Sequence, residues 1–416
     1  MKRLTLLALF LPVALLAQQY TVDDLIGYGL QNSWSMQKSE LGYLSSSSNL
    51  SSAKWNLLPD ASLGLRVEND LYNQAAPAVS DLSSSAGFTI SKTISLNDPS
   101  WFNYKYAKLD EKKARMVLEN SASNYAYRVF SAYLDVLAAQ KQLASLARNL
   151  EIQTRVWEQS KVLNQLGKNT SFDVKQSEIA VMNSRIAIIQ LENTISTKRR
   201  ELFGLVRMED GGHELTDLDY DPDFSVPPFS TEQSLGLKLL EADIQRGELS
   251  RRQNWLDYFP RVNLAYNYSR NLGGQDFDFD HYNTSHTVSL NLSYSLWNHF
   301  KQNQVIKRSD FSLRLAELDL QDQIDQNARQ HQIMDQELQY LLRLDELLLE
   351  KLEQSSNQIR IAEERYRLGL IELLELDKTR TDYIDADIAY NNNRYQILAK
   401  QEAINHLLSL KILGKW

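Results

Sequence analysis

The 416-residue chain has no cysteine. No disulfide framework braces it, and an exported form has no thiol at its mature end to carry a lipid anchor. Long apolar runs are also missing. No internal stretch approaches the ~20 apolar residues of a spanning helix, and charged residues make up 24% of the chain, which excludes a helical membrane protein. The six histidines show no metal-ligand spacing. With no nucleophile elbow, phosphate loop or zinc motif either, the sequence reads as a non-enzyme that needs no cofactor or metal. A net charge of −8 without a basic stripe argues against nucleic acid as a partner.

The one apolar run is Leu4 to Ala17, preceded by Lys2 and Arg3. A basic flank, a short apolar stretch and a small residue at the end predict an export signal over residues 1–17. Its removal takes the net charge from −8 to −10. Thr21 and Asp24 then form a helix-start box, and a helix is expected to run on to Trp55, with Pro59 ending it.

Two alternating segments follow. Leu63, Leu65 and Val67 alternate with polar residues, as do Phe88, Ile90, Ile94 and Leu96, with Lys92 interrupting the apolar face. A polar loop from Asp70 to Ser84 is expected between them. Glycine and proline are then absent from Asn103 to Leu166, which predicts a helix of roughly 95 Å. Gly167 breaks it, and a second helix is expected from about Ser171 to Phe203. Lys198, Arg199 and Arg200 near its end are the kind of solvated cations that complement a helix dipole.

From Met208 to Pro228 the chain is acidic and has no lysine or arginine, the mark of a linker. Beyond it the pattern starts again, with a second expected helix-start box at Ser230-Thr231-Glu232-Gln233. Trp255 and Pro260 stand 200 and 201 residues after Trp55 and Pro59. Val262, Leu264, Tyr266 and Tyr268 alternate with polar residues, and so do Val288, Leu290, Leu292, Tyr294 and Leu296. A second stretch without glycine or proline runs from Asn303 to Leu368.

The two long segments share a 4-3 seam. Ala132, Val136, Ala139, Leu143, Leu146, Leu150, Gln153, Trp157 and Ser160 recur 202 residues later as Met334, Leu338, Leu341, Asp345, Leu348, Leu352, Ser355, Ile359 and Ala362. A 3.5-residue repeat is a coiled-coil signal. Gly167 maps onto Gly369 and Asp173 onto Glu375 at the same offset. The chain is one unit written twice, expected as a first repeat over residues 18–207, a linker at 208–229 and a second repeat over 230–416.

Two isolated hairpins would be marginal in water. Their strands have the length of tilted membrane strands, and Trp55, Trp101, Phe102, Trp255, Tyr258, Phe259, Trp297 and Phe300 cluster at their ends in the manner of interfacial belts. Four strands cannot close a barrel, and lipid does not tolerate open edges. Two copies would give a barrel filled by its own side chains, whereas three copies would leave a lumen. The fold expected is mainly α with β: a long antiparallel α-helical coiled-coil barrel fused to a transmembrane β-barrel, with four strands per chain and twelve in a trimer. The alternative is a periplasmic coiled-coil scaffold without channel activity, in which deleting both hairpins would leave localisation and assembly intact. An adaptor protein, expected to carry a single helical hairpin beside β-rich domains, does not account for the duplication.

The duplicated order, the proline before each first strand, the Tyr366-Arg367-Leu368-Gly369 tip and the later Glu375-Leu376 and Asn393-Arg394-Tyr395 resemble TolC-like outer-membrane channel proteins of bacterial efflux and secretion systems. The resemblance implies a homotrimer in outer-membrane lipid and a periplasmic helical tunnel closed at its inner tip. It also implies a periplasmic adaptor docked on the tips at Gly167 and Gly369, and an inner-membrane transporter supplying energy. It places Glu375 in an acidic ring at the entrance, with Asp173, Tyr366 and Asp377 nearby. The second acid of the family falls at Lys378, one residue after Asp377, and the latching arginine of some relatives falls at Ile371. On the residues alone, acids in a first helical turn also simply suit the helix dipole. Asp276, Asp278, Asp280 and His281 lack the glycine and terminal glutamate of a calcium loop and are expected to be a solvated external loop.

Overall fold

The computed structural model describes residues 19–69, 82–273 and 284–415. The leader at 1–17, the loop around Asp276, Asp278, Asp280 and His281, and most of the loop from Asp70 lie outside the described residues. The elements are α1 (Val22–Asn32), α2 (Trp34–Trp55), β1 (Asp60–Asn69), β2 (Leu82–Ile94), α3 (Pro99–Gln165), α4 (Ser171–Val206), α5 (Leu235–Leu256), β3 (Arg261–Gly273), β4 (Thr284–Ser293), α6 (Asn298–Arg367) and α7 (Leu373–Leu407).

Several boundaries follow local chemistry. Thr21 and Asp24 close the expected capping box on α1. The helix expected to reach Trp55 is broken at Ser33, whose backbone is extended and whose Oγ accepts from the Met36 amide at 3.4 Å. The serine thus starts a new helix instead of continuing the old one. α3 begins four residues before Asn103, at Pro99, where a missing N–H costs nothing. The second expected box is corrected. Residues 231–233 form a turn, and α5 starts at Leu235. Phe229 is packed against the Leu338 cluster, so the chain is still turning away from that anchor where the box would sit.

The described residues divide into two compact units that cut across the sequence repeats. The first contains Ser39–Glu119 and Leu235–Asp325 and holds the sheet. The hairpins are not isolated. β2 pairs with β3, giving one antiparallel sheet in the order β1-β2-β3-β4. Phe88 stands opposite Tyr268 and Ile90 opposite Tyr266, so the apolar faces of both hairpins merge. Lys92 interrupts that face at a position opposite Leu264, and its Nζ lies 3.4 Å from the Asn56 carbonyl, which carries the charge back towards the helix end. β1 and β4 each pair on one side only among the described residues. Within this unit α5 joins α3 through Tyr106–Gln253 at 2.9 Å and joins α6 through Asn254–Ser309 at 2.7 Å. α6 leaves Phe311, Leu315 and Leu318 exposed here.

The four tryptophans expected in a belt all lie in this unit at strand–helix junctions. Trp55 ends α2, Trp101 opens α3, Trp255 lies near the end of α5, and Trp297 precedes α6. All four are exposed, Trp297 by 84%. The Lys105 ammonium sits 5.0 Å from the Trp101 ring centroid.

The second unit contains Asn120–Ser234, Gln326–Trp416 and the described part of Met1–Lys38. Both nine-residue seams are buried or half-buried throughout. α3 meets α4 through Asn149 and Gln153 on Ser184. It meets α7 through Ser145 and Arg148, both bonded to the buried Asp387 carboxylate. α7 meets α6 where Asn393 Nδ2 donates to the Leu341 carbonyl at 3.1 Å and to Asp345 at 2.9 Å. The order is α4-α3-α7-α6. The two outer helices carry apolar stripes left exposed among the described residues: Phe172, Ile179, Met182, Ile186 and Ile189 on α4, and Ile333, Tyr340, Leu347 and Ile361 on α6.

The acidic segment expected as a linker is a strap on these helices. Asp217 pairs with Lys141 at 2.6 Å and accepts from the Tyr395 hydroxyl at 2.7 Å. Asp219 pairs with Arg394, and the Tyr220 hydroxyl donates to Asp345 at 2.8 Å. Tyr220, Phe224, Val226 and Phe229 pack on Leu338, Leu341, Ile397, Ile404 and Leu408. Arg199, expected to be solvated, instead grips Asp210 through Nε at 2.8 Å and Nη2 at 2.5 Å, with only 12% of its side chain exposed. The run without cations finds its cations on α3, α4 and α7.

Asp210 is held below the ordinary carboxylate range by the Arg199 hydrogen bond. At Asp217 burial pushes the other way, but the bonds to Lys141 and Tyr395 prevail and the net shift is also downward. Their contribution is therefore complete above the unfolded value of about 3.9 and is lost as pH falls through the depressed folded values. Amide-exchange protection of 217–221 is expected to hold from neutral pH to about 5 and to decline below about 4. Protection still at its neutral-pH level at pH 2 would show that apolar packing alone holds the strap.

Candidate gate at the paired hairpin tips

Each pair of long helices closes through the same turn. In the first, the Gly167 amide donates to the Asn164 carbonyl at 2.9 Å and the Lys168 amide to Leu163 at 2.8 Å. In the second, Gly369 donates to Tyr366 at 2.9 Å and Leu370 to Arg365 at 2.8 Å. This is the Schellman arrangement, and it needs a left-handed residue after the helix. Gly167 has φ 71° and Gly369 has φ 72°, a conformation that costs an L side chain roughly 1–2 kcal/mol.

The tips then diverge one turn further on. At the first, Thr170 is the N-cap of α4, and the Asp173 carboxylate accepts from the Thr170 amide at 3.0 Å and hydroxyl at 2.7 Å. At the second, the N-cap is Glu372, with no side-chain cap bond. The equivalent acid, Glu375, is exposed, and its carboxylate has no hydrogen-bond or ion-pair partner among the described residues. Asp173 is occupied by its own helix end, whereas Glu375 is available.

Asp377 is turned inward. Its Oδ1 accepts from the buried Arg380 at 2.7 Å. Burial raises its pKa, only partly offset by the Arg380 charge. Lys378 is exposed beside Glu375.

Between the tips lies a closed apolar cluster. Ile152, Val156 and Leu163 of α3 meet Ile359, Ala362 and Tyr366 of α6 and Leu373 and Leu376 of α7. Tyr366 is 1% exposed, and its hydroxyl accepts from Asn169 Nδ2 at 3.1 Å. Asn169 also reaches Ser160 at 3.3 Å, so this turn residue, which sequence reasoning passed over, ties one hairpin to the other. It is the repeat equivalent of Ile371, which packs against the cluster. Where the resemblance puts a latching arginine, this chain makes an apolar contact.

Compared with known families, the sequence matches the outer membrane efflux protein family over residues 25–206 and 230–409. The chain belongs to the outer membrane efflux protein family. The two matched spans fall on either side of the acidic segment, and the family is one of channels and not of enzymes. Solved structures agree on the fold at low identity. VceC, an outer membrane protein of Vibrio cholerae, is 13% identical with a TM-score of 0.83, covering 94% of this chain and 96% of its own. The Campylobacter jejuni CmeC outer membrane channel is 14% identical with a TM-score of 0.79, covering 93% and 85%. The Neisseria gonorrhoeae MtrE outer membrane channel is 13% identical with a TM-score of 0.75, covering 94% and 89%. No curated protein matches the sequence significantly. The fold is therefore that of this efflux family, a helical barrel joined to a transmembrane β-barrel, and the protein is an outer-membrane efflux channel.

Proposed function

We propose that this efflux protein is the outer-membrane duct of a multi-component efflux or type I secretion system, giving passive passage from periplasm to exterior through a gated helical tunnel. The observation that carries the proposal is that its edges are unsatisfied on two sides. Among the described residues, β1 and β4 leave open strand edges, and α4 and α6 leave exposed apolar stripes at heptad spacing. Those edges differ from one another, so copies join head to tail and close as a ring. Three copies supply the twelve strands that enclose a lumen. Residues 1–17 act as the export signal, and the repeats 18–207 and 230–416, joined at 208–229, build the homotrimer. It is not anchored through a lipidated cysteine, and Trp55, Trp101, Trp255 and Trp297 lie at the membrane interface.

The helices extend into the periplasm, where the Gly167 and Gly369 turns receive an adaptor, with Leu166, Phe172, Leu368, Leu370 and Leu374 exposed around them. An inner-membrane transporter drives the system. At the entrance, Glu375 repeated by the three-fold axis forms a ring that favours cations. Tyr366 holds the two tips together, Asp377 positions Arg380, and Asp173 serves the end of α4.

Single-channel recording in planar bilayers tests this. The expected result is cation-preferring conductance. Glu375→Gln is expected to lower cation over anion permeability about two- to fivefold, the scale of charges acting through water at ~1 kcal/mol or less. Asp173→Asn is expected to cost about 0.3–1 kcal/mol of helix stability, the worth of an acid in a first helical turn, and leave selectivity alone. A water-soluble monomer without conductance would sink the proposal, and equal selectivity in wild type and Glu375→Gln would remove the ring from it.

A further inference from the structure

The apolar stripes of α4 and α6 have charged flanks, and those charges are ordered. On α4, Glu178, Arg185 and Glu192 follow one another at heptad spacing, the first two each just before a stripe residue, Ile179 and Ile186. On α6, Glu346, Glu353 and Arg360 do the same, with Leu347 and Ile361 next to the outer two. Both rows lie on the strap side of their helices. Arg199, two heptads beyond Arg185, grips Asp210 of the strap. His331, about six turns before Glu353, has Nε2 2.9 Å from the Pro227 carbonyl. Arg185, Glu353 and Arg360 are exposed, and none of the three has a hydrogen-bond or ion-pair partner among the described residues. Glu178 has Lys175 at 2.8 Å.

Copies related by rotation alone meet at equal heights along their helices. Height can be counted from the two tips, which are level because Asn169 of one donates to the Tyr366 hydroxyl of the other at 3.1 Å. Within the first hairpin Gln153, 14 residues before Gly167, bonds Ser184, 17 residues after it. On the same count Glu353, 16 residues before Gly369, falls one residue from the level of Arg185, a rise of about 1.5 Å. Arg360 falls equally close to Glu178, and Glu346 to Glu192.

In that register opposite charges meet at two levels and like charges at one. A slip of one heptad, about 10 Å, would set Arg185 against Arg360 and Glu192 against Glu353. The opposite slip would set Glu178 against Glu353. Flanking charges of this kind select partner and register in coiled coils. A slipped joint also carries each copy along the axis, which turns a closed ring into an open spiral. We infer that Arg185 of one copy pairs with Glu353 of the next, and that this contact fixes the register in which the ring closes. It rests on the ring proposed above and names the charges that hold its joint.

The test uses the full-length protein in detergent, with assembled mass read by native mass spectrometry and conductance recorded alongside. Arg185→Glu sets a carboxylate against Glu353 and is expected to raise the concentration for half-assembly about tenfold or more. Glu353→Arg is expected to do the same. Combined, the two reversals restore opposite charges and should return assembly to within about threefold of wild type. Glu192→Gln removes one of the two like charges and should leave assembly unchanged or tighter. The reversals exchange one good helix former for another, and circular dichroism checks that each variant stays folded. Because the chain has no cysteine, Arg185→Cys combined with Glu353→Cys gives an independent reading. A short bismaleimide should join its copies covalently and leave either single cysteine variant unjoined. A monomeric wild type, single reversals that assemble like wild type, or a double reversal no better than the singles would each overturn the pair. So would an equal loss in Glu192→Gln, or an assembled double-cysteine protein that does not cross-link. Failure of the channel proposal would appear separately, as absent wild-type conductance.

Discussion

Ile179→Glu combined with Ile186→Glu is expected to leave the protein monomeric. Both residues lie on the exposed stripe of α4, at 57% and 53% exposure, one heptad apart and facing away from the α3 seam where Val181 and Ser184 are buried. In a closed ring each would be covered by the α6 stripe of the next copy. Each buried aliphatic side chain contributes about 1.5–3 kcal/mol, and an uncompensated carboxylate at the same place costs several more. Every junction of the ring would carry both losses, so the effect is an absence of assembly and not a shift in affinity. Leu347→Glu on α6 should reproduce the monomer, because it damages the other half of the same junction. Asn183→Glu, an exposed polar position on α4, should assemble normally. Mass photometry in detergent measures all four proteins. A double variant that keeps the assembled mass would show that the stripe is not the joint.

Tyr366→Ala is expected to unlock the tips without unfolding the chain. The ring lies at the centre of the cluster linking α3, α6 and α7, and its hydroxyl is the partner of Asn169 Nδ2. Truncating a buried aromatic side chain costs about 3–5 kcal/mol, here concentrated in the last turns of two hairpins. Protection against amide exchange should collapse around residues 160–175 and 359–378 while the sheet is unchanged, and single-channel conductance should rise. Tyr366→Phe removes only the hydrogen bond and should cost about 1 kcal/mol. If the alanine variant exchanges like wild type at both tips, the hairpins are held together elsewhere, with Asp387 and its partners Ser145 and Arg148 the next place to look.

Much of this fold was legible in the residues because its periodicities are local. Alternation marked all four strands, and the seam at a 202-residue offset marked both coiled coils and the duplication. The pairing of β2 with β3 was not legible. Each hairpin satisfies its own alternation, and nothing in Phe88 announces that Tyr268 is its neighbour. The contacts of the linker were hidden for a related reason. An acidic run without lysine shows no partners of its own when Lys141, Arg199 and Arg394 come from elsewhere in the chain. At the tips, both turns and the buried tyrosine could be placed from sequence. The different fates of Asp173 and Glu375 were also written there, as threonine at 170 against glutamate at 372, but they became visible only once both helix starts were located. Asn169 carried no signal, since an asparagine in a turn is ordinary.

That pair of helix starts gives the duplicated chain an inequality between its halves. α4 begins with two of its orphan amides answered by side chains, whereas α7 begins at Glu372 with none. A missing N-cap is worth about 1 kcal/mol, or roughly a fivefold difference in how often a first turn frays. Two hairpins of common origin and identical turn geometry are therefore not equally durable. The wear falls on the second, in the same turn that presents Glu375 to the solvent.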